Sequence, residues 1–315
     1  MRHVGALALL VLLAVACSGS REEYRASIDL GPAIRALASD DLDESSQAAD
    51  RIAMAGADAL PALEAALRTE PPALRREVTT VVGRIDDPRA VRLLSQAAND
   101  ADAGVRYEAI LALGIRAVPD TRGAVESALG DADPKVRLAA ANACATLCVS
   151  SAALARLVEL GVNDPPLPNA LAARSAIVRI LGDADQERVE RLRAAIRSQA
   201  PPVLARHAAG DAAVRAALLA SDVGDAVGRD VLATAALGGV APALRLQAIH
   251  ALGTIGDAGS VTALATIDGQ PTFGESACDA LRRLAARGVE RASDAVERWR
   301  GACPAAVLPP PPGAR

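Results

Sequence analysis

The sequence predicts an all-α fold, a right-handed α-solenoid of two-helix repeats, from three observations. An arginine precedes a glycine by eight positions at four places, and Arg137 precedes Ala145 by the same interval. The 315 residues are 51% hydrophobic but only 1% aromatic, so alanine and leucine suit thin helical layers better than one thick core. Asp87-Pro88 and Asp133-Pro134 are helix-start signals, because aspartate caps free N–H groups and proline fits the first turn.

The arginine–glycine pairs measure the length of the repeat. The arginines of the series are separated by 31, 31, 37 and 71 residues, and the last interval is close to two ordinary ones. A fixed period of ~20–50 residues is typical of stacked repeat architectures. The structural residues of this predicted frame are Arg75, Gly83, Arg106, Gly114, Arg137, Arg174, Gly182, Arg245 and Gly253.

The segment 70–98 shows most clearly how one repeat is built. Its first half places three apolar residues on one helical face, namely Val78, Val81 and Val82. Gly83 is expected to end this helix, because glycine takes the left-handed cap conformation at low cost. Asp87 and Pro88 then start a second helix. Each repeat is therefore predicted to be helix A, a tight turn and helix B.

The same reasoning divides residues 29–300 into about eight repeats. The regular part is predicted as a capping helix at 29–40 and repeats at 41–69 (with its turn at Gly56), 70–98, 99–129, 130–162, 163–199, 240–269 and 272–300. Between them, 201–220 is predicted as one helix A weakened at Gly210, and 224–237 as its helix B, because alternation requires an even number of helices there. Residues 301–315 are predicted to be a disordered proline-rich tail.

Four segments resemble the HEAT-like repeats first described in phycobiliprotein lyases. They are VVGRIDDPRAVRLL (81–94), VRYEAILALG (105–114), DPKVRLAAANA (133–143) and LRLQAIHALGTIGDAGSVTAL (244–264). The resemblance covers about residues 40–300 and implies the HEAT-like repeat fold. It implies little about function, because that repeat family includes scaffolds, adaptors and a few enzymes.

The recurring arginine has two interpretations. It is either a row of guanidinium groups that binds an acidic ligand, or a structural ladder in which each arginine pairs with an acidic turn residue such as Asp102 or Asp133. We favour the ladder, because the arginine recurs together with the glycine of the turn.

The first residues predict export. Gly5 to Ala16 are twelve uncharged residues after Arg2, too short for the ~20 residues of a membrane span but suited to the apolar region of a signal peptide. Ala14-Val15-Ala16-Cys17 resembles the lipobox of bacterial lipoproteins, which implies cleavage before Cys17 and its lipidation. An ordinary signal peptidase would cut the same bond after Ala16. We therefore expect a signal peptide at 1–16 and a lipidated polar tether at 17–28, and Ser18 favours the outer membrane, facing the periplasm.

Four cysteines besides Cys17 are an even number for an oxidising compartment. Cys278 and Cys303 are candidates for a disulfide that fastens the last repeat. Cys144 and Cys148 lie four residues apart on one predicted helix and are either bridged or buried thiols. Without histidine or acid nearby they predict no metal site.

The sequence predicts no catalytic, cofactor-binding or metal-binding residue. His207 and His250 lack the acidic partners of a metal pair, and the G-x-S-x-G, P-loop and dinucleotide motifs are missing. A formal charge of −4 argues against nucleic acid as a partner. Trp299, Tyr107 and Phe273 are expected to be packing residues.

The favoured function is therefore a non-catalytic scaffold or adaptor, anchored to the bacterial cell envelope by lipid, that binds a protein or peptide and uses no cofactor. The alternatives are a HEAT-like enzyme or enzyme subunit of the lyase type, and a purely structural envelope protein. The candidate exposed residues on B helices are Arg89, Arg92, Arg122, Glu126, Arg188 and Arg191.

Overall fold

The computed structural model describes residues 29–183, 185–206, 210–267, 270 and 272–299. Helices joined by short turns make up the regular structure of this part of the chain. The chain divides into two compact units between Ala128 and Leu129. The predicted signal peptide, Cys17, the tether and the 301–315 tail lie outside the described residues.

The first unit contains three helical pairs after a short capping helix. Its helices are α1 (Gly31–Ala36), α2 (Leu42–Ala55), α3 (Leu60–Thr69), α4 (Pro72–Arg84), α5 (Pro88–Ala97), α6 (Ala103–Arg116) and α7 (Arg122–Ala128), with 3-10 turns at Gly56–Ala59 and Pro119–Thr121. The A helices α2, α4 and α6 pack side by side, and the B helices α3 and α5 pack against the A helix that follows. These pairs correspond to the first three predicted repeats.

Aspartates define where several helices begin. Asp87 accepts a hydrogen bond from the backbone N–H of Arg89 and precedes Pro88, the first residue of α5. Asp102 accepts from the N–H of Val105 at the start of α6. Such caps satisfy N–H groups that have no partner within the helix, and each typically contributes about 1 kcal/mol.

The second unit contains ten helices among its described residues. They are α8 (Pro134–Leu147), α9 (Ser151–Asn163), α10 (Leu167–Leu181), α11 (Gln186–Arg206), α12 (Asp211–Asp222), α13 (Arg229–Leu237), α14 (Pro242–Ile255), α15 (Ala258–Ala265), α16 (Gly274–Ala286) and α17 (Ala292–Arg298). The A helices α8 and α10 pack together, as do α14 and α16. Trp299 is buried in the core of this unit, and Phe273 packs against that core.

The predicted single helix at 201–220 is wrong. Helix α11 continues through Pro201 and Pro202 to Arg206, and α12 begins at Asp211. The break falls at Gly210, whose φ of +100° is strained for any residue with a side chain. Ala200 and Val203 are buried, so packing keeps this end of α11 helical despite its two prolines.

Helix α12 departs from the regular stack. It packs on α9, α11, α13 and α14, whereas its contact with α10, the preceding A helix, is slight apart from the ion pair between Asp222 and Arg174. Every residue from Ala213 to Ser221 is buried, including Arg215, whose Nε donates to the carbonyl oxygen of Val162 at 2.8 Å. At Gly228, before α13, φ is +83° and a Cβ would lie 2.8 Å from the Cβ of Ala217. Close packing around α12 therefore requires a glycine at position 228.

The prediction that glycine ends helix A is confirmed at Gly56 and Gly182, the C-caps of α2 and α10, and is wrong at the other three glycines. Gly83, Gly114 and Gly253 lie inside α4, α6 and α14, and Gly182 follows α10 with φ of −89°. A Cβ on Gly253 would lie 2.9 Å from the Cα of Ala280 in α16. On Gly83 it would lie 3.0 Å from the Cβ of Ala112 in α6. At Gly83 and Gly253 the glycine allows consecutive A helices to pass closely.

Candidate functional site

The recurring arginines are bound inside the fold. Arg75 on α4 donates from Nε and Nη2 to the two carboxylate oxygens of Asp100, at 2.9 and 2.6 Å. Its Nη1 donates to the carbonyl oxygen of Glu70 at 2.9 Å. Arg75 therefore joins the loop that precedes its own helix to the loop that follows helix B.

Arg137 repeats this arrangement in the second unit. It donates to both oxygens of Asp164 at 2.9 and 2.7 Å and to the carbonyl oxygen of Asp131 at 2.9 Å. Asn169 donates a further hydrogen bond of 3.0 Å to Asp164. Burial raises the pKa of Asp164, but the hydrogen bonds from Arg137 and Asn169 outweigh it and hold the pKa below its ordinary value.

Two arginines depart from the simple pattern. Arg174 donates to both oxygens of Asp222 at 2.8 and 2.7 Å and to Gln247 at 2.8 Å. Burial raises the pKa of Asp222, although Arg174 opposes the shift. Arg245 donates to Gln270 at 2.7 Å, and its guanidinium carbon lies 4.1 Å from the ring centre of Phe273. A glutamine thus occupies the place of the acid.

The acids named as examples from sequence were not the ones that pair with Arg75 and Arg137. Asp102 and Asp133 cap α6 and α8 by accepting backbone N–H groups. Asp100 lies two residues before Asp102, the cap of α6, and binds Arg75. Asp164 follows α9 and binds Arg137. Arg106 donates to the carbonyl oxygens of Asp100 and Ala101 at 2.9 and 3.1 Å.

Arg188, expected on an exposed surface, is buried. Its Nε donates to the carbonyl oxygen of Cys148 at 2.7 Å, and its Nη2 donates to those of Cys144 and Ala145 at 2.8 and 3.1 Å. A cation at the carboxyl end of α8 complements the helix dipole and satisfies its last carbonyl groups. Sequence reasoning missed this role because Arg188 lies forty positions after Cys148.

Cys144 and Cys148, left open from sequence, form a disulfide in the last turn of α8, with their Cα atoms 4.5 Å apart. Both side chains are buried. The bridge therefore holds the turn whose carbonyl oxygens bind Arg188. Cys278 also takes part in a disulfide, and its predicted partner Cys303 lies outside the described residues.

A groove in the first unit is the candidate binding site. Its cavity volume is about 570 Å³, within the ~300–1,000 Å³ of typical ligand pockets. One wall is α5, and the other is the connection between α6 and α7. Its lining residues are Asp86, Asp87, Pro88, Val91, Arg92, Ser95, Gln96, Arg116, Val118 and Asp120.

The groove lies where the third repeat combines a long connection with a short helix B. The connection 117–121 has five residues before α7 begins, whereas three residues at 85–87 join α4 to α5. Helix α7 then has only 7 residues. The B helices α3 and α5 pack together, but α7 makes little contact with α5. The space that a longer helix B would fill beside α5 therefore remains open.

Charged groups surround a mainly apolar groove. Arg116 donates to the carbonyl oxygens of Gly83, at 3.1 Å, and of Ile85. It also lies 3.5 Å from the fully exposed carboxylate of Asp86. Arg92 and Asp120 are exposed on the opposite walls. Arg116 therefore caps the end of α4, while the rim offers charges of both signs.

The other predicted B-helix residues are placed differently. Arg89 pairs with Asp87, and Arg191 pairs with Glu187 at 2.6 Å. Arg122 is exposed on α7, and Glu126 is half-buried. Of the predicted set, Arg92 is the one that lines the groove.

The described part of the chain shows no cluster of three His, Cys, Asp or Glu side chains suited to a metal ion. His250 is exposed on α14, and His207 lies outside the described residues. None of the described helices combines the length and apolar character needed to cross a membrane.

Comparison with known proteins supports the repeat interpretation. The family model for HEAT repeats matches residues 32–114 and 91–177. No curated protein matches the sequence significantly. The X-ray structure of YibA from Escherichia coli aligns with a TM-score of 0.58 and 19% identity, over 85% of this chain and 96% of that one.

Two further solved structures extend the comparison. Importin beta aligns with a TM-score of 0.55 and 14% identity, over 79% of this chain and 37% of that one. The CpcE–CpcF complex of phycocyanin lyase from Nostoc aligns with a TM-score of only 0.38 and 22% identity, over 76% of this chain and 94% of that one. The last likeness is too weak to carry an argument, and the first two show the fold alone. Residues 32–177 thus match the HEAT-repeat model, and the predicted α-solenoid fold is confirmed.

Proposed function

We propose that this chain is a non-catalytic, protein-binding scaffold anchored in the bacterial cell envelope. The observation that carries the binding role is the open groove beside α5, a mainly apolar depression with charged residues at its rim. Stacked helical repeats present extended surfaces on which a partner protein or peptide can lie. The recurring arginines do not supply this surface, because their guanidinium groups are bound within the fold.

The proposed anchor is a lipid on Cys17. Its support is the sequence Ala14-Val15-Ala16-Cys17, which follows a short apolar segment. Several acyl chains on one residue hold a protein stably at a membrane, whereas one chain gives only marginal binding. We place the anchored chain at the outer membrane, facing the periplasm.

Metabolic labelling tests the anchor. Labelled palmitate should enter the wild-type chain and not the Cys17→Ala variant, and the variant should leave the membrane fraction. A Cys17→Ala chain that still incorporates palmitate would refute the lipid anchor.

Site-specific photo-crosslinking in the intact envelope tests the binding role. A photoreactive residue at Gln96, in the groove, is compared with one at Asp230, which is exposed on α13. We expect a discrete protein adduct from position 96. If neither position gives a protein adduct, the scaffold function is contradicted.

A further inference from the structure

The A helices of the first unit expose apolar side chains near their carboxyl ends. Met54 on α2 and Ile115 on α6 are 86% and 79% exposed, and Leu111, one turn before Ile115, is also exposed. Single exposed apolar residues are ordinary on a protein surface, so the question is whether these three share one surface. We call the exposed side chains in the last two turns of α2, α4 and α6 the A-helix face.

Contacts between the helices place these side chains on one surface. Arg84 on α4 pairs with Asp50 of α2 at 2.6 Å, and Met54 follows Asp50 by one helical turn. Arg84 and Ile115 hold equivalent positions, because each lies nine residues after the recurring arginine of its own repeat. Met54 and Ile115 therefore flank Arg84. With neighbouring helices 8–10 Å apart, they stand about 20 Å from each other, a spacing that only a broad surface contacts at once.

The charges of the A-helix face leave a surplus of one cation. Its charged members are Asp50, Arg51 and Arg84, and the first two turns of these helices do not contribute to it. Asp50 is engaged by Arg84, and Arg51 is exposed. The first unit as a whole contains more acids than arginines, so this face differs in charge from its surroundings. Apolar side chains beside arginine are the chemistry of a surface that lies on phospholipid headgroups.

The proposed lipid anchor would hold this face near a membrane. Cys17 lies twelve positions before Asp29, the first residue that the structure describes. A chain of that length spans at most about 40 Å. Helix α1, which follows Asp29, packs on α2. A short tether gives a high effective concentration, so contacts that are too weak to bind a free protein become occupied.

We propose that the A-helix face docks on the phospholipid membrane to which the chain is anchored. Met54, Leu111 and Ile115 enter the headgroup region, and Arg51 pairs with lipid phosphate. The groove beside α5 belongs to the B-helix side of the unit and stays open to a partner protein. This inference rests on the proposed lipid anchor and adds the orientation that the first unit takes at the membrane.

Photo-crosslinking in the intact envelope of cells grown on radiolabelled phosphate tests the docking. A photoreactive residue replaces Met54, Ile115 or, as a control, Gln96, which is exposed on α5. An acyl chain on Cys17 contains no phosphorus, so the label reports crosslinked phospholipid. We expect about tenfold more labelled adduct from positions 54 and 115 than from position 96, because burial of one aliphatic side chain shifts an equilibrium by about that factor.

A second measurement uses a photoreactive residue at Leu111. In the variant Met54→Glu/Ile115→Glu the phospholipid adduct at position 111 should fall about tenfold or more. Leu237→Glu is the matched control, because Leu237 is an exposed aliphatic residue on α13 of the other unit, and it should leave the adduct unchanged. Circular dichroism checks that the variants fold, and the comparison of positions 54, 115 and 96 does not depend on them.

The outcomes separate this inference from the proposed anchor. Equal phospholipid adducts from positions 54, 115 and 96, or protein adducts alone from positions 54 and 115, overturn the docking even if Cys17 incorporates palmitate. A chain that incorporates no palmitate at Cys17 overturns the anchor and this inference with it. The protein adduct expected from position 96 tests the scaffold function separately.

Discussion

Arg137 and Asp164 form a two-point ion pair that links helix A of the fourth repeat to the loop after its helix B. The Asp164 side chain is fully buried, and that of Arg137 is 15% exposed. Arg75 and Asp100 form the same geometry in the first unit. The spacing of the arginines therefore reflects a structural contact made once per repeat at these positions.

Removal of one partner of this pair should destabilise the second unit. Arg137→Ala leaves the Asp164 carboxylate buried without its main partner, and we expect the free energy of unfolding to fall by up to about 3–5 kcal/mol. Arg193→Ala, which breaks the exposed pair with Glu190, should cost less than about 1 kcal/mol. Urea denaturation followed by circular dichroism measures both. Equal losses in the two variants would contradict a structural role for the buried pair.

Substitution of the repeat glycine should reveal its packing role. In Gly253→Ala the new Cβ meets the Cα of Ala280 at 2.9 Å, so we expect a loss of about 1–3 kcal/mol from overpacking. Gly123→Ala on α7 is a matched control, because a Cβ there meets nothing within 4 Å. The control should leave stability unchanged or raise it by up to about 1 kcal/mol. Thermal unfolding of both variants measures these changes in stability. A Gly253→Ala variant as stable as wild type would refute the close approach of the two helices.

The disulfide in α8 should contribute to stability. The double variant Cys144→Ala/Cys148→Ala removes a bridge that closes a very short loop, and the chain-entropy relation gives a loss of about 2 kcal/mol. Because both cysteines are buried, the protein with this bridge reduced should react with thiol reagents at these positions only after unfolding. Guanidinium unfolding of the wild type and the double variant measures the difference. Rapid labelling of native, reductant-treated protein at these positions would contradict the burial.

Asp257 should make the free energy of unfolding depend on pH in the acidic range. Its hydrogen bonds from the N–H of Ser260 and from Arg229 lower its pKa to about 2, against about 3.9 in an unfolded chain. A depressed folded-state pKa means that the stabilisation is present above about pH 4 and is lost as the pH falls toward about 2. Asp257→Asn keeps most of the cap and removes this dependence. The unfolding free energies of wild type and variant should converge between those pH values, and a constant difference would contradict the assignment.

Local features of the sequence were sufficient to locate most of the helices. The starts of α5 and α8 followed from Asp87-Pro88 and Asp133-Pro134, because a cap acts on N–H groups two or three residues away. The period of the arginines placed the regular repeats in order. The predicted helix boundary between residues 199 and 201 was wrong, because burial of side chains near Pro201 and Pro202 keeps α11 helical as far as Arg206.

The sequence by itself determined the repeat period, the all-helical class and the capped helix starts, since these depend on neighbours within one or two turns. Only the tertiary structure showed that Gly253 allows α14 to approach Ala280 of α16 closely and that Arg188 caps α8. It also showed that the short α7 leaves a groove open beside α5. The physical reason is distance along the chain. These contacts join residues of different repeats, and their partners depend on how the helices pack.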